Sequence, residues 1–165
     1  MFLKKLKLLK KKFHYSKGLK FSCIYNCDQC CRGEPGIILV SKDDMENIST
    51  YLNISIYDFI NNYSTLITDF FSINYGYIKK AYSINETNDG SCIFLKDKKC
   101  LIYPVRPLQC RSYPFWPSII KTEKNWEDEK RYCPGINRGK LYSFEEIYKI
   151  LEEFSSQNFT IDKSK

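Results

Sequence analysis

Four cysteines lie within nine residues near the start of the chain, and this spacing constrains the fold more than any other sequence feature. They stand in the run FSCIYNCDQCCRG, and four more follow, so that the full set is Cys23, Cys27, Cys30, Cys31, Cys92, Cys100, Cys110 and Cys133. Thiolates placed two or three residues apart can turn their sulfur atoms toward one point, as a metal ion or an iron–sulfur cluster requires. We therefore expect the chain to fold around a metal site made from these eight cysteines.

The start of the chain favours metal ligands over disulfides. Lysines interrupt the apolar residues of MFLKKLKLLKKKFHY, which is not typical of a secretory signal, and no stretch reaches the roughly 18 apolar residues of a membrane span. We therefore predict a cytoplasmic location and no transmembrane segment. Thiols stay reduced there and serve as metal ligands or redox groups. One or two of the cysteines can instead be small core residues.

The spacing alone leaves the identity of the metal open. Zinc takes four tetrahedral ligands, often from cysteines separated by two to four residues, and eight thiols can fill two such sites. Cys30 and Cys31 are adjacent, so their side chains diverge and suit two metals better than one. The spacing Cys23-x3-Cys27-x2-Cys30 is also that of radical S-adenosylmethionine enzymes, although this chain is short for their barrel. A ferredoxin-type cluster is a further option.

Two arginines flank one of the later cysteines. Arg106 and Arg111 stand on either side of Cys110 in RPLQCRSYPF, and we expect them to contact a cofactor or to neutralise thiolate charge. Ordinary ion pairs with Asp or Glu are the alternative. His14 is the single histidine, which excludes three-histidine and two-histidine metal sites and disfavours Cys–His catalysis.

Basic charge is concentrated at one end of the chain. The net charge is +7, and eight lysines lie in the first twenty residues without any acid among them. We predict that residues 1–20 are a basic N-terminal arm with helical apolar spacing, and that residues 21–165 are the cysteine-cluster domain. The arm either touches an anionic membrane surface or a nucleic acid, or packs its apolar side on the domain.

Helix and strand signals are mixed along the rest of the chain. Ser41 and Ser55 each precede a helical pattern, and Ser143 with Glu146 forms a further capping box. Strand patterns cover residues 37–40 and 75–84, and residues 92–95 and 100–103 resemble a hairpin around a charged turn. A helical turn is expected near residues 107–110, whereas residues 121–132 show no clear pattern. We predict a small single α+β domain of helices and short strands, organised around a cysteine-ligated metal or iron–sulfur site.

Three segments together resemble a known family. They read F-x-C-x3-C-x2-C-C, then C-x-F-L-x4-C-x-I-Y-x2-R-P-x2-C-R-x-Y-P-F, then C-P-G, and they span roughly residues 21 to 135 with Tyr103, Arg106, Pro107 and Pro114 around the cysteines. The pattern resembles the CxxCxxCC or YkgJ-like family, described as a zinc- or iron-chelating domain and including flagellin lysine N-methylase proteins. The resemblance implies binding of zinc or iron, or of an iron–sulfur cluster.

The sequence supports two functional hypotheses. The first is a cytosolic metal-binding protein whose partner is the metal ion, alone or with a protein partner. The alternative is a protein-modifying enzyme or enzyme component, similar to a lysine N-methylase, that uses the cluster as cofactor. No Gly-rich S-adenosylmethionine loop follows a strand, and the sequence assigns no catalytic residue.

Overall fold

The computed structural model describes residues 13–32 and 36–159, which form two compact units. Among these described residues, the first unit comprises residues 13–25 and 112–155, and the second comprises residues 26–32, 36–111 and 156–159. The described residues form five α-helices, α1 (Lys42–Leu52), α2 (Ile56–Tyr63), α3 (Leu108–Ser112), α4 (Glu123–Asp128) and α5 (Phe144–Ser155). Their strands are β1 (Leu19–Phe21), β2 (Leu39–Val40), β3 (Ser64–Ser72), β4 (Gly76–Ile84), β5 (Leu95–Lys96), β6 (Lys99–Cys100) and β7 (Lys140–Tyr142). The predicted α+β class is confirmed.

The first unit packs α4 and α5 with a small antiparallel sheet in which β1 pairs with β7. Its core is aromatic, with Tyr15, Trp126 and Phe144 almost completely buried. Gly18 ends a short 3-10 turn with φ near 90°, and a side chain there would collide with the carbonyl of Tyr142. Glycine therefore lets β1 start directly beside β7.

The second unit contains a three-stranded antiparallel sheet in the order β2-β4-β3. Helices α1 and α2 contribute Met45, Ile48 and Phe59 to its core, where they pack with Ile84 of β4. The hairpin of β5 and β6 and the helix α3 complete this unit. Four separate segments of this unit carry cysteines, as described below.

Serine-based capping boxes start the three longest helices. The Ser41 hydroxyl accepts from the N of Asp44 at α1, and the Ser55 hydroxyl accepts from the N of Asp58 at α2. In return, each carboxylate accepts a hydrogen bond from the backbone N of its serine. At the start of α5, the Glu146 carboxylate accepts from the N of Ser143, and the Ser143 hydroxyl accepts from the N of Glu146. These helix starts are where the sequence predicts them, because each box is made within four residues.

Several predicted elements differ in extent. Of the predicted basic arm, residues 1–12 lie outside the described residues, and residues 18–20 leave the helix to enter β1. The predicted hairpin is present but its strands cover only residues 95–96 and 99–100. Helix α4 forms within residues 121–132. The division into an arm and a domain at residue 20 stays a prediction. No helix in the described part of the chain has the length and apolar character of a membrane span.

Candidate metal centre

Five of the predicted cysteine ligands are brought toward one another within the second unit by four separate segments. Cys30 and Cys31 lie on the 3-10 turn Gln29–Cys31, Cys92 follows the turn after β4, Cys100 ends β6, and Cys110 lies on α3. We call these five residues the thiol cluster. Their separation in sequence means that only the folded second unit collects them.

Backbone hydrogen bonds fix the turn that carries the first two thiols. The N of Cys31 donates to the carbonyl of Asp28 over 2.9 Å, and the Arg32 guanidinium lies 2.8 Å from the Asp28 carboxylate. The N of Cys92 donates to the carbonyl of Cys31 over 2.8 Å. This last bond joins two cysteines that are far apart in sequence, and it holds their backbones side by side.

Cys92 and Cys100 are positioned by the hairpin of β5 and β6. The N of Leu95 donates to the carbonyl of Cys92 over 2.8 Å, and Leu95 pairs with Cys100 across the hairpin. Asp97 and Lys98 both have positive φ, 49° and 59°, as a tight two-residue hairpin turn requires. The short hairpin thereby brings the two cysteines to the same end of this element.

Cys110 is positioned by two buried polar side chains that contact its helix. Asp44 accepts from the N of Leu108 at the start of α3. Gln109 accepts from the N of Leu39 over 3.0 Å and donates to the carbonyl of Ile37 over 2.8 Å, as a neighbouring strand would. Cysteine spacing does not indicate either role, although Asp44 belongs to a recognisable capping box and Gln109 directly precedes Cys110.

The thiols interact electrostatically. The Sγ atoms of Cys30 and Cys31 lie 3.9 Å apart, and this hydrogen bond lowers the pKa of Cys30 to about 7 while it raises the pKa of Cys31. Burial raises the pKa of Cys92, Cys100 and Cys110. The pKa of Cys110 is raised further by negative charge on Cys92, Cys30 and Cys100. A cation bound between these groups would lower the pKa values again, because it would stabilise the thiolate forms.

Arg106 supplies positive charge to this cluster. Its guanidinium lies 3.7 Å from the centre of the Tyr103 ring and donates to the Tyr103 carbonyl over 2.8 Å. Its charge acts to lower the pKa of Cys30, Cys100 and Cys110, against the larger effect of burial on the last two. Arg111 instead lies 3.7 Å from the Asp44 carboxylate, in the ordinary ion pair that the sequence leaves as an alternative.

Three predicted cysteine ligands are not among the five residues of the thiol cluster. Cys23 is exposed and Cys133 is buried among apolar side chains, both in the first unit, where His14 bonds to the carbonyl of Ile120 over 2.9 Å. Cys27 is a partly exposed residue of the second unit, next to Asp28. The membership of these three cysteines in a metal site, and the contact of either arginine with a cofactor, stay predictions.

Thiol donors suit zinc or iron, although their side chains do not surround a single point closely enough to enclose a metal ion. Within residues 13–32 and 36–159, no three His, Cys, Asp or Glu side chains are arranged to hold a metal ion. The cluster nonetheless consists of thiols, the ligands that zinc and iron–sulfur centres prefer, with a guanidinium to offset their charge.

A small pocket opens beside part of the thiol cluster. Its volume is about 60 Å³, and Cys30, Cys31 and Cys92 line it together with Glu86 and Arg32. The sequence spacing does not point to Glu86, because this residue lies outside every cysteine motif. An isolated β-bridge between Glu86 and Cys92 is the structural reason for its place in the pocket wall.

Comparison with known proteins identifies relatives of the whole cysteine region. The family CxxCxxCC, described as "Putative zinc- or iron-chelating domain", matches residues 22–134, well over half of the chain. The chain is also 33% identical over 143 residues to an uncharacterised protein of Methanocaldococcus jannaschii, a match that covers 84% of this chain and 70% of the relative. No solved structure gives a significant match.

Proposed function

Because the chain belongs to the CxxCxxCC family, we propose that it is a metal-binding protein whose cysteine thiolates chelate zinc or iron. This proposal is supported by the thiol cluster, to which four separate segments of the second unit contribute. A bound cation would stabilise the thiolates electrostatically. The protein's own groups contribute in two ways, since the thiolates bind the metal and Arg106 offsets the remaining negative charge.

The ligands are spread over about eighty residues, from Cys30 to Cys110. Metal binding would therefore stabilise the folded second unit as a whole, since it ties together the turn, the hairpin and α3. A ligand at one hundred times its dissociation constant stabilises the state that binds it by about 2.7 kcal/mol. We expect the loaded protein to unfold at a higher temperature than the chelator-treated protein.

The identity of the metal follows from one measurement on the full chain. The protein is purified without oxygen, and its metal content and its ultraviolet–visible spectrum are recorded. Zinc gives a colourless protein, whereas an iron–sulfur cluster absorbs in the visible range. The alternative hypothesis of a protein-modifying enzyme, and the cytoplasmic location, stay predictions.

Substitution of one ligand tests the site. We expect Cys110→Ser to lower the bound metal and to abolish most of the stabilisation by metal. Ile48→Val is the matched control, because it affects the same unit and costs about 0.5–1.5 kcal/mol without removing a donor. Wild-type protein without bound zinc or iron after reconstitution would refute the proposal. Unchanged metal content and affinity in Cys110→Ser would refute the assignment of Cys110.

A further inference from the structure

Glu86 is the one carboxylate among the residues that line the pocket beside the thiol cluster. The same pocket is lined by Cys30, Cys31 and Cys92. Negative charge on Glu86 acts to raise the pKa of Cys92, so the carboxylate and the thiol are electrostatic neighbours. Oxygen and sulfur donors thus border one small space.

The backbone holds Glu86 opposite Cys92. The two residues form an isolated antiparallel bridge, and the turn between them is closed by a bond from the N of Thr87 to the carbonyl of Ser91 over 2.7 Å. Asp89 braces this turn by accepting from Thr87 Oγ1 and, over 3.2 Å, from the N of Ser91. The position of Glu86 beside the thiols therefore follows from a well-bonded turn.

The negative charge of Glu86 has no cationic partner in the described part of the chain. Its Oε1 accepts one hydrogen bond, from the N of Gly36 over 2.8 Å. Arg32 lines the same pocket, but its guanidinium pairs with Asp28 at 2.8 Å. Glu86 is exposed, so water solvates its charge, and a cation bound between the carboxylate and the thiols would add a direct attraction to both.

We propose that Glu86 is an oxygen ligand of the metal held by Cys30, Cys31 and Cys92. This inference rests on the proposed metal-binding function and deepens it. Zinc accepts carboxylate oxygen together with thiolate sulfur. The resulting site is a mixed sulfur and oxygen site that opens to solvent through the pocket, unlike the closed four-cysteine sites that are typical of structural zinc.

Binding of Co²⁺ to the full-length protein tests this proposal without an activity assay. Glu86→Gln removes the charge but keeps an oxygen that can accept from the N of Gly36, so the local hydrogen bond is preserved. We expect Glu86→Gln to bind Co²⁺ about 10- to 100-fold more weakly in competition with a chromophoric chelator. Its visible d–d bands should shift, whereas its sulfur-to-cobalt charge-transfer absorption stays close to that of the wild type.

Asp89→Asn is the control for the turn, because Asp89 braces the loop but does not line the pocket. We expect this variant to bind Co²⁺ nearly as tightly as the wild type. Equal affinity and identical d–d bands in Glu86→Gln and wild type would overturn the role of Glu86. If Asp89→Asn weakened Co²⁺ binding as much as Glu86→Gln does, the role of Glu86 as a ligand would also be overturned. The loss of affinity would then come from the shape of the turn. Wild-type protein that binds none of Co²⁺, zinc and iron would instead refute the underlying metal-binding function.

Discussion

Asp44 Oδ1 accepts a hydrogen bond from the N of Leu108 over 3.2 Å, and this bond joins the start of α1 to the start of the helix that carries Cys110. The other carboxylate oxygen accepts from the N and the Oγ of Ser41 over 3.1 and 2.8 Å. Asp44 is only 4% exposed. One buried carboxylate therefore caps two helices, and it connects the scaffold of the second unit to the thiol cluster.

Replacement of Asp44 by Asn should destabilise the protein by about 1.5–3 kcal/mol, because buried hydrogen bonds to a charged acceptor are lost. The matched control is Asp58→Asn, since Asp58 closes the same kind of capping box at α2 but is exposed. Within residues 13–32 and 36–159, its side chain bonds to Ser55 alone. We expect that control to cost less than about 1 kcal/mol. Urea unfolding followed by circular dichroism measures both. Equal losses in the two variants would mean that the further contacts of Asp44, with Leu108, Gln157 and Arg111, contribute nothing.

Arg106 offers a test of charge compensation in the thiol cluster. Its guanidinium favours the ionised forms of Cys30 and Cys100, so Arg106→Gln should weaken zinc binding by about tenfold or more. Arg106→Lys keeps the charge but not the planar stacking on Tyr103, and we expect a smaller loss. Competition titration with a zinc chelator gives both affinities. An Arg106→Gln protein with wild-type affinity would rule out this role.

Cys133 lies 8% exposed in the apolar core of the first unit. Cys133→Ser puts a hydroxyl among apolar side chains, and we expect a loss of about 1–3 kcal/mol in the free energy of unfolding. Cys133→Ala keeps the site apolar and should cost less than the serine variant. A serine variant as stable as the alanine variant would contradict this expectation. Metal analysis of the same two proteins tests the predicted role of Cys133 as a ligand, because a ligand would be lost in both.

We expect the stability of the first unit to depend on pH through Glu146. Hydrogen bonds from Lys140 and from the N of Ser143 lower the pKa of Glu146 from 4.5 to about 2. Because this pKa is depressed in the folded state, the stabilisation is present above pH 4.5 and is lost as the pH falls toward 2. We expect Glu146→Gln to be less stable than wild type at pH 7 and equally stable near pH 2, as measured by thermal unfolding. Lys140→Gln removes the first donor and should weaken the same dependence; a constant difference across the whole pH range would contradict this cause.

The elements that the sequence predicts well are those made by near neighbours. The capping boxes at Ser41, Ser55 and Ser143 are confirmed, because their hydrogen bonds reach only three residues along the chain. Asn53 ends α1 with φ of 54°, a left-handed conformation that asparagine tolerates at the end of a helix. The alternating residues before Ile84 form β4. Local geometry is enough to specify each of these features.

Strand β3 shows where local pattern fails. Its apolar residues Leu66, Ile67, Phe70 and Phe71 recur at a helical spacing, which does not predict a strand. The segment is extended because β4 offers it a long antiparallel partner from Ile84 to Gly76. Pairing between distant segments overrides the local spacing here, and it also determines where the turn that carries Glu86 begins.

The sequence by itself determined the residue types of the site, the family and the start of the main helices, because spacing and capping act over a few residues. Only the tertiary structure decided which thiols lie near one another, since backbone pairing and buried polar anchors of the second unit position Cys30, Cys31, Cys92, Cys100 and Cys110. It also decided that Glu86 lines a pocket together with Cys30, Cys31 and Cys92. Burial and long-range hydrogen bonds cannot be read from spacing, and for that reason the eight-cysteine pattern did not reveal this arrangement.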